Sequence, residues 1–187
     1  MCIICENNYD NNLSELDLNY CKQIKEIPPL PNLKTLWCVN TYIKKIPILP
    51  NLQFLICENS EIKEIPFLPN LQELYCDNTK IKEIPHLPNL YILWCNNTEI
   101  KEIPHLSNLQ ILYCSGTKIK EIPFLPNLQE LYYVNTEIKE IPILPNLHIL
   151  WCDFGYYYSK EKIQILYKQQ NLKRRLLHLW KIYKLKN

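Results

Sequence analysis

The sequence predicts a solenoid: short stacked coils, each made of one β-strand and one extended return path, with a helix after the last coil. Three observations predict it. Ile24, Ile43, Ile62, Ile81, Ile100, Ile119 and Ile138 recur every nineteen residues without a slip, so nineteen residues complete one circuit in a fixed register. Within a circuit, "LQELYC" (71–76) places Leu74 and Cys76 on one face and Glu73 and Tyr75 on the other, the period of two that marks a strand. From residue 159 the period ends and a basic stretch without proline or glycine begins. A coil this small cannot bury an apolar face alone, but stacking gives the coils one continuous core.

The N-terminal segment 1–12, "MCIICENNYDNN", has no basic start and only a four-residue apolar run, too short for a signal peptide. No stretch approaches the roughly 18 apolar residues of a membrane span. Nine cysteines, an odd number, fit a reducing compartment better than a disulfide framework. The expected location is therefore intracellular and cytoplasmic. With 47% hydrophobic and 21% charged residues the chain has a globular composition. Its net charge of +2 hides an asymmetry, because residues 160–187 carry +8 and residues 1–159 carry −6.

Each repeat follows the line I-K-E-I-P-x-L-P-N-L-x-x-L-Ω-C-x-N-T-x, where Ω is usually aromatic. Prolines three apart exclude helix interior and central strand from the I-P-x-L-P part, which suits an extended, polyproline-like return. Nineteen residues leave little room for a helix. "LQELYCDNTKI" (71–81) resembles the leucine-rich repeat pattern L-x-x-L-x-L-x-x-N-x-L, with Cys76 in the sixth place and Thr79 in the ninth. The match recurs from Leu33, Leu52, Leu90, Leu109 and Leu128; "LSELDLNYCKQI" is a variant from Leu13, and "LHILWCDFGYY" (147–157) keeps the strand but loses the following turn. That makes about eight repeats over 13–158. The I-P-x-L-P-N-L segment is similar to the short repeats of bacterial effector proteins, and the whole texture to leucine-rich-repeat proteins of giant DNA viruses. The resemblance implies a leucine-rich-repeat solenoid with a curved parallel β-sheet on its concave side and extended or short 3-10 segments on the convex side. Thr in place of the usual ninth-position Asn implies a buried hydroxyl ladder instead of an amide ladder.

On this reading Leu36, Leu55, Leu74, Leu93, Leu112, Leu131 and Leu150 point into the core and never vary. Cys38, Cys57, Cys76, Cys95, Cys114 and Cys152 form a second inward column, broken by Tyr133. A metal or redox ladder is one reading of the stacked thiols. A column of small buried hydrophobes is the better one, because the column has neither CxxC spacing nor converging histidines. His86 and His105 stand between Phe67 and Phe124 at one repeat position and read as an edge-of-core column, not as metal ligands. Glu61, Lys80, Glu99, Lys118 and Glu137 alternate in sign at the tenth position, a ladder that serves solubility and register.

The outward strand positions behave differently. The fifth repeat position reads Trp37, Ile56, Tyr75, Trp94, Tyr113, Tyr132, Trp151, and the third reads Thr35, Phe54, Glu73, Ile92, Ile111, Glu130, Ile149. The tolerated changes of the repeat thus gather on one face, as a band of aromatic and β-branched groups. Such a band marks a protein or peptide interaction site. Cross-strand stacking that only strengthens the sheet is the alternative. Surrounding charges are mostly acidic (Glu58, Glu73, Asp77, Glu130 and Asp153 against Lys34), which favours a basic or amphipathic partner and disfavours nucleic acid.

Residues 159–187 read as a basic amphipathic helix, with Ser159 as N-cap, Glu161 in the first turn, and Leu172, Leu176, Leu179, Trp180 and Tyr183 at helical spacing. Capping the solenoid is its first expected role. Others are docking on a membrane or a calmodulin-like groove, where "IQILYKQQNLKRRL" (163–176) resembles an IQ motif with Gln169 for the usual glycine, or docking on the acidic band of the same or another copy. No nucleophile elbow, phosphate-cradling loop or catalytic carboxylate pair is present, so the expectation is a non-enzymatic interaction module without cofactor or metal. A structural, self-assembling protein is the alternative.

Overall fold

The computed structural model describes residues 4–6, 9–10, 12–152, 156–158 and 161–170. It contains eight short strands stacked in chain order, all parallel: β1 (Glu15–Asp17), β2 (Thr35–Trp37), β3 (Phe54–Ile56), β4 (Glu73–Tyr75), β5 (Ile92–Trp94), β6 (Ile111–Tyr113), β7 (Glu130–Tyr133) and β8 (Ile149–Cys152). The register pairs Leu16, Leu36, Leu55, Leu74, Leu93, Leu112, Leu131 and Leu150 in one row. A ninth strand, β9 (Tyr156–Tyr158), pairs antiparallel with β8, so the sheet ends on a reversed strand. The sequence pattern did not foresee that reversal, because 147–157 still reads as a repeat.

Each coil closes by the same local chemistry. After the strand the chain turns through a left-handed residue, at φ between 52° and 60° for Tyr20, Asn40, Asn59, Asn78, Asn97 and Asn135 and at φ 67° for Gly116. Asparagine and glycine tolerate this region, which explains why the eighth repeat position is Asn or Gly in the six coils that start from Leu33 to Leu128. The return path is extended and contains no 3-10 segment among the described residues. It bends once at Leu-Pro-Asn-Leu, where Leu52 N–H donates to Leu49 O at 3.1 Å, a β-turn with proline at its preferred second place. Ser107 replaces that proline in one coil and the turn persists, Leu109 N–H reaching Leu106 O at 3.1 Å.

Asparagine also ties the coils together. The turn asparagines donate to the preceding coil, as Asn70 Nδ2 does to Pro50 O at 2.8 Å and Asn89 Nδ2 to Pro69 O at 2.8 Å. The ninth-position hydroxyls instead bond within their own coil: Thr79 Oγ1 donates to Cys76 O and Thr98 Oγ1 to Cys95 O, both at 2.7 Å. The expected hydroxyl ladder is therefore a column of internal staples. A hydroxyl is short and has one proton, so it reaches the carbonyl three residues back, whereas a carboxamide is long enough to cross to the next coil.

The core is a continuous stack of leucine, isoleucine and cysteine from Leu16 to Leu150. At its far end residues 161–170 form helix α1, with Ile163 fully buried and Leu166 and Tyr167 packed on the core. The Tyr167 hydroxyl accepts the Leu144 N–H at 3.1 Å. This part of the tail covers the last coil. Ile163, the first residue of the IQ-like stretch, is turned into the core and is not presented to a partner. Ser159, Leu172, Leu176, Leu179, Trp180 and Tyr183 lie outside the described residues.

Candidate functional site

The two outward columns come from the ends of each three-residue strand, with the buried leucine between them. Parallel pairing in register places Glu73, Ile92, Ile111 and Glu130 in one row and Tyr75, Trp94, Tyr113 and Tyr132 in the next. Trp37, Phe54, Ile56 and the residues of these two rows are half-buried, and Trp151 at the end is 38% exposed. The band is less open than the alternation implies, because its rings cover one another. Tyr75 meets Trp94 edge-on at 5.0 Å between centroids, Trp94 and Tyr113 are tilted at 4.8 Å, and Tyr113 stacks on Tyr132 at 3.9 Å. Such contacts contribute about 0.5–1.5 kcal/mol each beyond burial. The aromatic column is thus a built rail that also stiffens the sheet.

The carboxylates are held by tyrosines. Tyr75 donates to one Glu73 oxygen at 2.6 Å, and Tyr91 donates to the other. Tyr91 escaped the sequence reading. It stands at the second repeat position, where Gln53, Gln72, Gln110 and Gln129 occupy other coils, and that break in an otherwise regular column was the available signal. Its hydrogen bond to Glu73, with burial, pushes the Tyr91 phenol up to about 12. Tyr132 is likewise raised by burial and by hydrogen bonds with Tyr113 and Glu130. Beside this row Asp77 accepts the Asn96 N–H at 2.7 Å and Asn96 Nδ2 at 2.8 Å, and Asn96 Oδ1 in turn accepts the Ser115 N–H at 2.8 Å.

Burial raises the pKa of Asp77 despite those two hydrogen bonds, and burial together with the Asp77 charge raises that of Glu58. Among the described residues none of Glu58, Glu73, Asp77 and Glu130 has a cationic partner. The lysines pair elsewhere: Lys44–Glu61 at 3.8 Å, Lys82–Glu99 at 3.9 Å, Lys120–Glu137 at 3.6 Å and Lys45–Glu64 at 3.9 Å. The tenth-position glutamates therefore meet the twelfth-position lysines of the coil before, not Lys80 and Lys118 as the alternating ladder had it. Asp153 lies outside the described residues.

The cysteine column is buried from Cys38 to Cys114. Burial pushes the Cys38 and Cys114 thiols up to about 12 and also raises those of Cys57, Cys76 and Cys95 well above the usual thiol value. They stay protonated and lean on the next coil, Cys76 Sγ donating to Trp94 O at 3.2 Å. No group of three or more metal-ligating side chains forms among the described residues. His86 and His105 are exposed, not at the edge of the core, and share a convex column with Ile48 (75% exposed), Phe67, Phe124 and Ile143 (67%). At the other end, Cys5 and Cys21 lie with their sulfurs 3.4 Å apart, where the N-terminal turn meets the first coil. No described helix is long and apolar enough to cross a membrane.

With this geometry in view, the likeness to known proteins is specific. A family model described as Leucine Rich repeats (2 copies) matches residues 11–51, 50–89 and 69–108. No curated protein matches the chain. Among solved structures, a leucine-rich-repeat protein of Leptospira interrogans is similar with a TM-score of 0.53 and 26% identity, over 61% of this chain and 38% of that one. YopM, a leucine-rich effector protein from Yersinia pestis, is similar with a TM-score of 0.62 and 25% identity, over 82% and 50% of the two chains. Internalin C2 from Listeria monocytogenes shares the fold at 22% identity and a TM-score of 0.54, over 74% and 80%. The chain thus matches 38% and 50% of the length of the first two.

Proposed function

The chain belongs to the leucine-rich repeat proteins, and from that premise we propose that it is a non-enzymatic interaction module. Its concave band, from Trp37 to Trp151, holds a protein or peptide partner of basic or amphipathic character. One observation carries this reading: among the described residues Glu58, Glu73, Asp77 and Glu130 line one face with no ion pair to a cation, although lysines on the same chain pair readily on the other faces. Burial penalises the charged forms of Glu58 and Asp77, and a cationic partner would relieve that cost. The same charges repel phosphate backbones, so nucleic acid is not the ligand. Tyr and Trp supply rigid contact area at low entropic cost.

The test is capture of partners from cell lysate by the intact protein and by a Trp94→Asp/Tyr113→Asp double variant, with circular dichroism to establish that the variant folds. Loss of a defined set of partners in the folded variant is the expected result. An identical set from both proteins would reduce the band to sheet packing.

A second reading, self-association, is favoured by the convex column, where Ile48, Phe67, Phe124 and Ile143 are, with Tyr20, the most exposed large apolar side chains of the repeat body among the described residues. Molecular mass over a concentration series separates the two readings, and a monomer at high concentration would remove this one.

A further inference from the structure

On the reading that the concave band binds a partner, the spacing of its carboxylates sets the register of what it holds. Glu73 and Glu130 occupy the same strand position three coils apart, joined through Ile92 and Ile111 in one row. Parallel strands lie about 4.8 Å apart, so the two carboxylates are about 14 Å apart along the axis of the stack. Between them the row is apolar, and Trp94 and Tyr113 stand in the neighbouring row on the same two strands. Each end has a tyrosine: Tyr75 and Tyr91 fix Glu73 by hydrogen bonds, and Tyr132 stands on the same strand as Glu130, whose charge helps to raise its phenol. A carboxylate has about four acceptor sites, and the two phenols on Glu73 leave room for an ammonium or guanidinium.

An extended chain rises about 3.3 Å per residue and presents alternate side chains to one side, so residues i and i+4 are about 13 Å apart with i+2 between them on the same face. We infer that the concave face accepts an extended peptide lying along the stack. It carries Lys or Arg at i and i+4, on Glu73 and Glu130, and an apolar side chain at i+2 over Ile92 and Ile111. The two ends are unequal. Glu58 and Asp77 lie on the Glu73 side and add negative potential there, and the Glu58 charge acts on Tyr75 itself. The cation on Glu73 is therefore the more strongly held of the two.

Panning a random-peptide display library on the full chain tests this, with Trp94→Asp/Tyr113→Asp, Glu73→Gln and Glu130→Gln variants as counter-selections and circular dichroism on each. The expected result is enrichment of basic pairs at i, i+4 around an apolar i+2. A synthetic peptide of that kind should lose affinity about two- to fivefold with either glutamine variant, the Glu73→Gln loss being larger, as for partly exposed ion pairs. Moving the basic pair to i, i+3 or i, i+6 should cost as much as removing one charge. Peptides that need Trp94 and Tyr113 but show another spacing, no basic pair, or indifference to both glutamine variants overturn the register while leaving the band a binding site. Peptides that bind the Trp94→Asp/Tyr113→Asp variant equally well overturn both.

Discussion

On β2 to β6 the middle residue is leucine in every coil and fully buried, whereas the residues on either side change from coil to coil and are half-buried. Leu93 and Trp94 are adjacent in sequence and yet answer to different constraints. The inner row is fixed by the coil itself: nineteen residues enclose a narrow interior, and interiors packed at crystal-like density tolerate neither gaps nor surplus volume. The outer rows meet only each other and solvent, so the repeat can rewrite them without losing its closure. Invariance here reports packing, and variation reports the surface left free for use.

Truncation should separate the two rows most sharply. Leu93→Ala is expected to destabilise by about 3 kcal/mol or more, a cavity in a core that cannot collapse around it. Trp94→Ala should cost about 1 kcal/mol, the contribution of its contacts with Tyr75 and Tyr113. Urea denaturation of both variants checks the pair, and equal losses would mean that the outer column is core as well. Thr98→Val should fall between them, at about 1–2 kcal/mol, because it leaves the buried Cys95 carbonyl without the hydroxyl that satisfies it at 2.7 Å.

A third comparison lies along the stack, between the first coil and those that follow. The step from Leu16 to Leu36 is one residue longer than the later steps, and the left-handed position holds Tyr20 at φ 60° where the next six coils use asparagine or glycine. Tyrosine has no local hydrogen bond to offset that conformation. Tyr20→Asn should therefore stabilise the chain by about 1 kcal/mol, read as a raised urea midpoint with unchanged slope. The same exchange in the reverse sense, Asn78→Tyr, should lower it.

The architecture was legible in the sequence because a nineteen-residue period leaves few ways to close a coil: the strands, the leucine and cysteine columns and the extended return all follow from spacing. What spacing could not show is where side chains turn once the coils are stacked. The tyrosine clamp on Glu73 joins Tyr75 from its own coil to Tyr91 from the next, a contact visible only across the register. The lysine partners of Glu61, Glu99 and Glu137 come from a neighbouring column for the same reason. β9 reverses direction through sequence that still matches a repeat, since the pattern records the strand and not its sense. The His86 and His105 column faces solvent because the I-P-x-L-P return buries its Ile and Leu and leaves x outside, an alternation that the prolines obscured.

The smallest expected effect sharpens the comparison from the side of charge. The folded state raises the pKa of Glu58 through burial and the neighbouring Asp77 charge, so the folded chain binds that proton more tightly than the unfolded chain does. Stability contributed by this group is therefore lost as pH rises from the unfolded carboxylate value, about 4.3, through the raised folded value. At pH 7 the ionised carboxylate opposes folding. Glu58→Gln should raise the denaturation midpoint slightly at pH 7, and the difference from the parent should disappear as the pH falls below about 4. Charge on the convex side should behave in the opposite way: Glu61→Gln removes a carboxylate already paired with Lys44 and brings no gain at pH 7. If Glu58→Gln were destabilising at pH 7, the concave carboxylate would already have its cation within this chain, and the charge complementarity assigned to the partner would fail.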